Sequence, residues 1–128
     1  QQDVWIEYQN TGAQPWYDNT SKPAGGYAVH YANTNPINRA SQFYDSTTWL
    51  NNNRPSRQFA AVYESDGTTL AANQHVAQPG QIVKFSYNYA APANAAPGTY
   101  TEDIQLVREG ATDWNFGGWG FFKVTVSP

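Results

Sequence analysis

The stretch GQIVKFSYNY, residues 80–89, alternates its side chains without a break. Val83, Phe85, Tyr87 and Tyr89 fall on one face, and Lys84, Ser86 and Asn88 on the other. A period of two marks a half-buried strand, because successive side chains of an extended chain point to opposite sides. The pattern recurs along the chain. DVWIEY sets Val4, Ile6 and Tyr8 against Asp3, Trp5 and Glu7, and YAVHY at 27–31 groups Tyr27, Val29 and Tyr31. GTYTEDIQLV turns Tyr100, Ile104 and Leu106 inward, and FFKVTV does the same with Phe122, Val124 and Val126. RQFAAVYESDGTTLAAN reads as a hairpin whose tight turn is Asp66-Gly67, a pair that tolerates the positive φ of a type I′ turn. Helical periodicity is nearly absent. About seven short strands parted by turn residues predict an all-β, antiparallel sandwich.

A chain of 128 residues is the size of one domain, so a single sandwich is expected over 1–128. Charged residues make up 13% of the chain and aromatics 16%, so its polarity comes mainly from Asn, Gln, Ser and Thr. That profile suits an extracellular β protein. The start at Gln1 rather than Met is expected of a processed secreted protein or an excised module. A secreted or cell-surface location is therefore expected. Net charge is −3 with no basic run, which argues against nucleic acid as a partner. With no cysteine, the core must hold by packing alone, without disulfide or thiolate metal site. No stretch approaches the ~20 apolar residues that cross a bilayer, so membrane insertion is not expected.

The titratable residues offer little for catalysis. Glu102 and Asp103 are adjacent on a strand and point to opposite faces, so they cannot work as a paired acid and base. If Glu102 faces inward, it needs a cationic partner such as Arg54 or Arg57. His30 and His75 lie on separate predicted strands, and no spaced Asp motif supports a calcium site around Asp18, Asn19 or Asp45. Neither a G-x-S-x-G, an H-E-x-x-H nor a P-loop occurs. A non-enzymatic protein without cofactor or metal is expected.

PGTYTE, which holds Tyr100, matches a tyrosine corner, in which a Tyr near the start of strand F returns its hydroxyl to the backbone upstream. Two residues on, where antibody domains carry cysteine, stands Glu102. In immunoglobulin lettering, strand B runs over 3–9, C over 27–31, E over 81–89, F over 99–107 and G over 119–126, with the hairpin between C and E. NTGAQPW, TTWLNNNRPSR, VAQPGQIVKFSYNYAAP and PGTYTEDIQLVREGATDWNFGGWGFFKVTV follow one another in the chain. Together they resemble the immunoglobulin-like domain named after the central domain of the autophagy receptor neighbour of breast cancer gene one. The family pattern falls on Asn10, Gly12, Trp16, Trp49, Arg54, Pro79, Gly80, Gly98, Tyr100, Trp114, Phe116 and Gly117. In bacteria such domains occur in secreted and surface proteins beside carbohydrate-active or cell-wall-directed modules, and the resemblance implies a non-catalytic accessory role. Family members usually open with a strand A ahead of the strand that runs into Asn10. Here that strand is either lacking or supplied by another chain, which would leave an open sheet edge.

Large apolar side chains on inward faces, Phe85, Tyr87, Tyr100 and Phe122 with Trp16 after the first turn, make the expected core. The loop from Ala32 to Arg57 is long enough to require a function or local structure of its own. It carries Trp49, while Trp114 and Trp119 flank NFGG. Flat indole faces beside amide, carboxylate and guanidinium groups suit sugars, whose rings have an apolar CH face and a rim of hydroxyls. One expectation is therefore a carbohydrate-binding module for a polysaccharide or cell-wall glycan. Its platform would be Trp49, Trp114 and Trp119 with Tyr17 and Tyr44, flanked by Asn51, Arg54 and Asn115. The other is a structural or adhesive subunit of a filament or surface layer, joined to copies of itself by strand addition.

Overall fold

The computed structural model describes residues 2–110 and 119–128. Among these, eight strands occur and no helix: β1 (Gln2–Gln9), β2 (Trp16–Tyr17), β3 (Val29–Asn33), β4 (Ala61–Tyr63), β5 (Val76–Ala77), β6 (Ile82–Tyr89), β7 (Gly98–Arg108) and β8 (Gly120–Val126). They form two three-stranded antiparallel sheets, β1-β6-β4 and β3-β7-β8, and a β2-β5 ribbon. An immunoglobulin constant-type domain has sheets ABED and CFG. The observed sheets correspond to B-E-D and C-F-G, so the chain is an immunoglobulin-like sandwich with position A empty among the described residues.

Register explains the faces. Val4 pairs with Tyr87, Ile6 with Phe85 and Tyr8 with Val83, so the apolar faces of β1 and β6 coincide. Against them β7 contributes Ile104 and Leu106, and β8 contributes Phe122, Val124 and Val126. Tyr31 of β3 sits between the sheets, stacked on Phe85 at 5.6 Å and tilted against Tyr8 and Tyr87. Burial of each such ring stabilises by about 2–3 kcal/mol. Offset and edge contacts between rings add about 0.5–1.5 kcal/mol per pair. Burial also pushes the Tyr31 and Tyr87 hydroxyls well above the usual phenol range.

Tyr100 donates its hydroxyl to the carbonyl of Ala96 at 2.7 Å, so the expected tyrosine corner is present. Three local expectations are corrected. Strand C runs over Val29–Asn33 instead of 27–31, leaving Tyr27 exposed, and both its faces are buried. The hairpin turn is not type I′ on Asp66-Gly67. Glu64 accepts the Gly67 N–H at 2.9 Å, and in that turn only Gly67 has a positive φ, of 76°. The Asp66 carboxylate takes the N–H groups of Thr68 and Thr69 and the Thr69 hydroxyl, which lengthens the loop. Those bonds, the one from the Thr69 hydroxyl first, hold Asp66 down to about 2. Finally, Glu102 does face inward, but its partners are Arg39 at 2.5 Å and the Ser41 hydroxyl, not Arg54 or Arg57. Arg57 instead reaches the carbonyl of Ser46.

The long loop after β3 has structure of its own. Asn33 donates its N–H to Asn53 and Ser41 to Asn52, while the Asp45 carboxylate gathers Thr47 and Thr48 into a turn. That turn swings Trp49 between the sheets.

Candidate functional site

Strand β8 sends Phe122, Val124 and Val126 to the core, so Phe121, Lys123 and Thr125 face outward. Trp119 stands immediately before the strand. Trp119 is 63% and Phe121 51% exposed, with ring centroids 5.9 Å apart and planes 47° apart. Phe121 lies directly opposite Asp103 on β7 and Lys123 opposite Thr101, while the Asn35 amide donates to the Asp103 carboxylate at 3.1 Å. Two adjacent uncovered rings therefore lie on a rigid sheet face rimmed by a carboxylate, an amide, a hydroxyl and an ammonium. Such a rim offers both donors and acceptors to a polyol.

Trp5, on the outer face of β1, is 57% exposed, but the Lys84 ammonium lies 4.9 Å from its ring centroid. A cation already occupies that indole.

The predicted platform does not assemble from its described members. Trp49 is 0% exposed: its indole N–H donates to the Asn88 carbonyl at 2.6 Å, and its ring meets Tyr87 and Tyr89 edge to face. It is a core residue and cannot stack on a sugar. Tyr44 covers it from the surface, with centroids 5.8 Å apart. Asn51 is exposed and turns the chain by accepting the Asn53 N–H. Arg54 is buried, its guanidinium forked onto the Glu109 carboxylate, so it is no ligand contact. Tyr17 lines a separate shallow cleft of about 170 Å³ with Tyr27 and Arg108. Trp114 and Asn115 lie outside the described residues. Among the described members of the predicted platform, Trp119 is the most open ring at 63%, with Tyr44 exposed to a smaller extent and packed on Trp49. Phe121 was missed, although the alternation that turns Phe122 inward turns Phe121 out.

Two acid–histidine pairs lie among the described residues. Glu109, just past β7, accepts from His30 Nδ1 at 2.9 Å and from Arg54, while His30 Nε2 meets the side-chain Oδ1 of Asn19 at 2.7 Å. Burial pushes the Glu109 carboxyl up, but the bonds from His30 and Arg54 and their charges outweigh it and hold it down to about 2. Asp18 is fully buried and takes His75 Nδ1 at 2.6 Å and the Thr20 N–H and hydroxyl. Those bonds overcome its burial, so its carboxyl also lies below the ordinary range. Ser21, the nearby hydroxyl, donates to the His75 main-chain carbonyl and not to the ring, so no Ser-His-Asp relay is formed there. Among the described residues no three His, Asp or Glu side chains converge as a metal site would require.

No family model, curated protein or solved structure matches the chain.

Proposed function

We propose that this domain is a non-catalytic carbohydrate-binding accessory module of a secreted or cell-surface protein. It holds a polysaccharide or cell-wall glycan on the outer face of the β7-β8 pair. The observation that carries the reading is the exposed pair Trp119 and Phe121. Leaving two large rings in water forgoes their burial, and sugar rings stacked on them recover it on binding, the 47° between the planes suiting successive sugars that are turned relative to each other. Asp103, Asn35, Thr101 and Lys123 supply hydrogen bonds to hydroxyls at the rim. The accessory role implied by the family resemblance agrees with this reading.

The test is a panel of insoluble and soluble polysaccharides, including cellulose, chitin, starch and peptidoglycan, assayed by pull-down and affinity electrophoresis. Trp119→Ala and Phe121→Ala should each weaken binding by about fivefold or more, which is about 1 kcal/mol. Their melting temperatures should stay near that of the parent, since both side chains lie outside the core. Binding unchanged by both substitutions, or no binding by the parent to any glycan, would sink the reading.

A further inference from the structure

β1 and β8 are outer strands of different sheets, and residues of both line one side of the sandwich. At one end they touch: a Cβ at Gly120 would meet the Tyr8 hydroxyl at 3.7 Å and Ile6 Cδ1 at 3.9 Å. Toward the other end a cleft of about 290 Å³ opens, floored by Val4, Tyr89, Phe122 and Val124 and rimmed by Gln2 on the β1 side and by Lys123 and Thr125 on the β8 side, so the acidic side chains that bear on an occupant are those of β1. The β6 residues Val83, Phe85 and Tyr87 are buried, whereas Val4, Ile6, Phe122, Val124 and Val126 are only partly so. The apolar floor is short of cover along this one side.

The backbone of β1 is also short of partners there. Asn10 donates its N–H to the Gln81 carbonyl at 2.8 Å, and antiparallel pairing alternates, so residues of even number face β6. Asp3, Trp5 and Glu7 then direct their N–H and C=O groups to the open side. The opposite edge of the same sheet is managed differently. On β4 the Gln74 amide accepts the Val62 N–H at 3.0 Å and donates to its carbonyl at 2.8 Å, closing that edge with a side chain.

Charge selects the occupant. A strand laid beside β1 brings its outward side chains next to Asp3, Trp5 and Glu7 at cross-strand distance. Lys84 stands opposite Glu7, but Asp3 faces Asn88 and has no ion-pair partner among the described residues. In the two longest antiparallel registers of β1 with its own copy, carboxylates meet, Asp3 directly against Glu7 or Glu7 diagonally against Glu7. Self-pairing is thus disfavoured. We propose that the cleft between β1 and β8 accepts an extended strand from a partner polypeptide. Its inward positions are apolar and fill the floor, and its outward positions carry Lys or Arg against Asp3 and Glu7. The strand pairs with β1 on the side away from β6, beside the Trp119–Phe121 face, with which the cleft shares only the Lys123 side of its rim.

The probe is an acetylated, amidated nine-residue peptide alternating Val with Lys and Thr, compared with the same peptide carrying Glu for Lys. Binding is read by fluorescence anisotropy and by the melting temperature of the intact chain, which a bound peptide raises by mass action. The lysine peptide should bind about three- to tenfold tighter than the glutamate peptide. Amide exchange should slow at Asp3, Trp5 and Glu7. The double variant Asp3→Lys, Glu7→Lys, altered only on the solvent face, should reverse the preference. No melting shift at millimolar peptide overturns the proposal, as does equal binding of both peptides. A concentration-dependent dimer that protects β1 would overturn it too, because the occupant would then be a second copy.

Discussion

Glu102 is a carboxylate set between Tyr100 and Ile104 on the inward face of β7, and only 3% of it is exposed. Its charge is tolerable there because Arg39 reaches it at 2.5 Å while spending its other nitrogens on the carbonyls of Thr34 and Asp103. Removing the arginine strands a buried charge, so Arg39→Ala should lower the unfolding free energy by about 3 kcal/mol in urea titrations at neutral pH. Glu102→Gln, which keeps the shape and removes the charge, should cost clearly less. Equal losses below about 1 kcal/mol would show that water satisfies the carboxylate. The need for a cation was legible in the sequence, because the alternation of β7 forces Glu102 inward. Which cation was not, because Arg39 lies in an aperiodic loop whose path is set by distant hydrogen bonds. Trp49 was misread for the same reason: the Asp45 turn that aims its ring at the Asn88 carbonyl leaves no periodic trace. Trp119 and Phe121 precede or lie on a strand, and there outward orientation can be read by counting.

At the scale of elements, strand faces follow from period two alone, whereas turns depend on which side chain captures the backbone first. Asp-Gly between two apolar runs suggests a two-residue I′ turn. Here the Asp66 carboxylate instead binds the Thr68 and Thr69 N–H groups and leaves the left-handed conformation to Gly67 by itself. A Cβ at Gly67 would have room, its nearest neighbour being Ile82 Cδ1 at 3.8 Å. Substitution therefore costs only backbone strain. Gly67→Ala should destabilise by about 1 kcal/mol and Gly67→Asn by less, since Asn adopts positive φ more readily. Thermal unfolding of both variants measures the difference. A loss for Asn equal to that for Ala would mean that something other than φ governs the position. The β2-β5 ribbon, two residues a side, is too short for any alternation to announce.

For the whole molecule, the six longer strands and the Tyr100 corner carry enough local pattern to predict the sandwich. What ties its connections together is polar and long-range. Glu109 joins β3 through His30, the long loop through Arg54 and, through the far nitrogen of His30, the Asn19 segment. Its carboxyl titrates at about 2, against an ordinary value of 4.5. A carboxyl lowered by folding stabilises the native state above its unfolded value, and that contribution is lost as pH falls toward the folded one. The Glu109 side chain is 34% exposed, so solvent screening discounts its contribution to about 1–2 kcal/mol at pH 7. Glu109→Gln should therefore be less stable than the parent by that amount at neutral pH. The gap should persist to about pH 5, shrink as pH falls toward about 2 and close below that, where Glu109 is protonated and as uncharged as the glutamine. Asp18, also held low, keeps an acid-dependent slope in both proteins, so the diagnostic quantity is their difference and not either curve. Guanidinium titrations across that range measure it. A gap of constant size at every pH would mean that Glu109 acts through packing and hydrogen-bond geometry alone, with no net contribution from its charge.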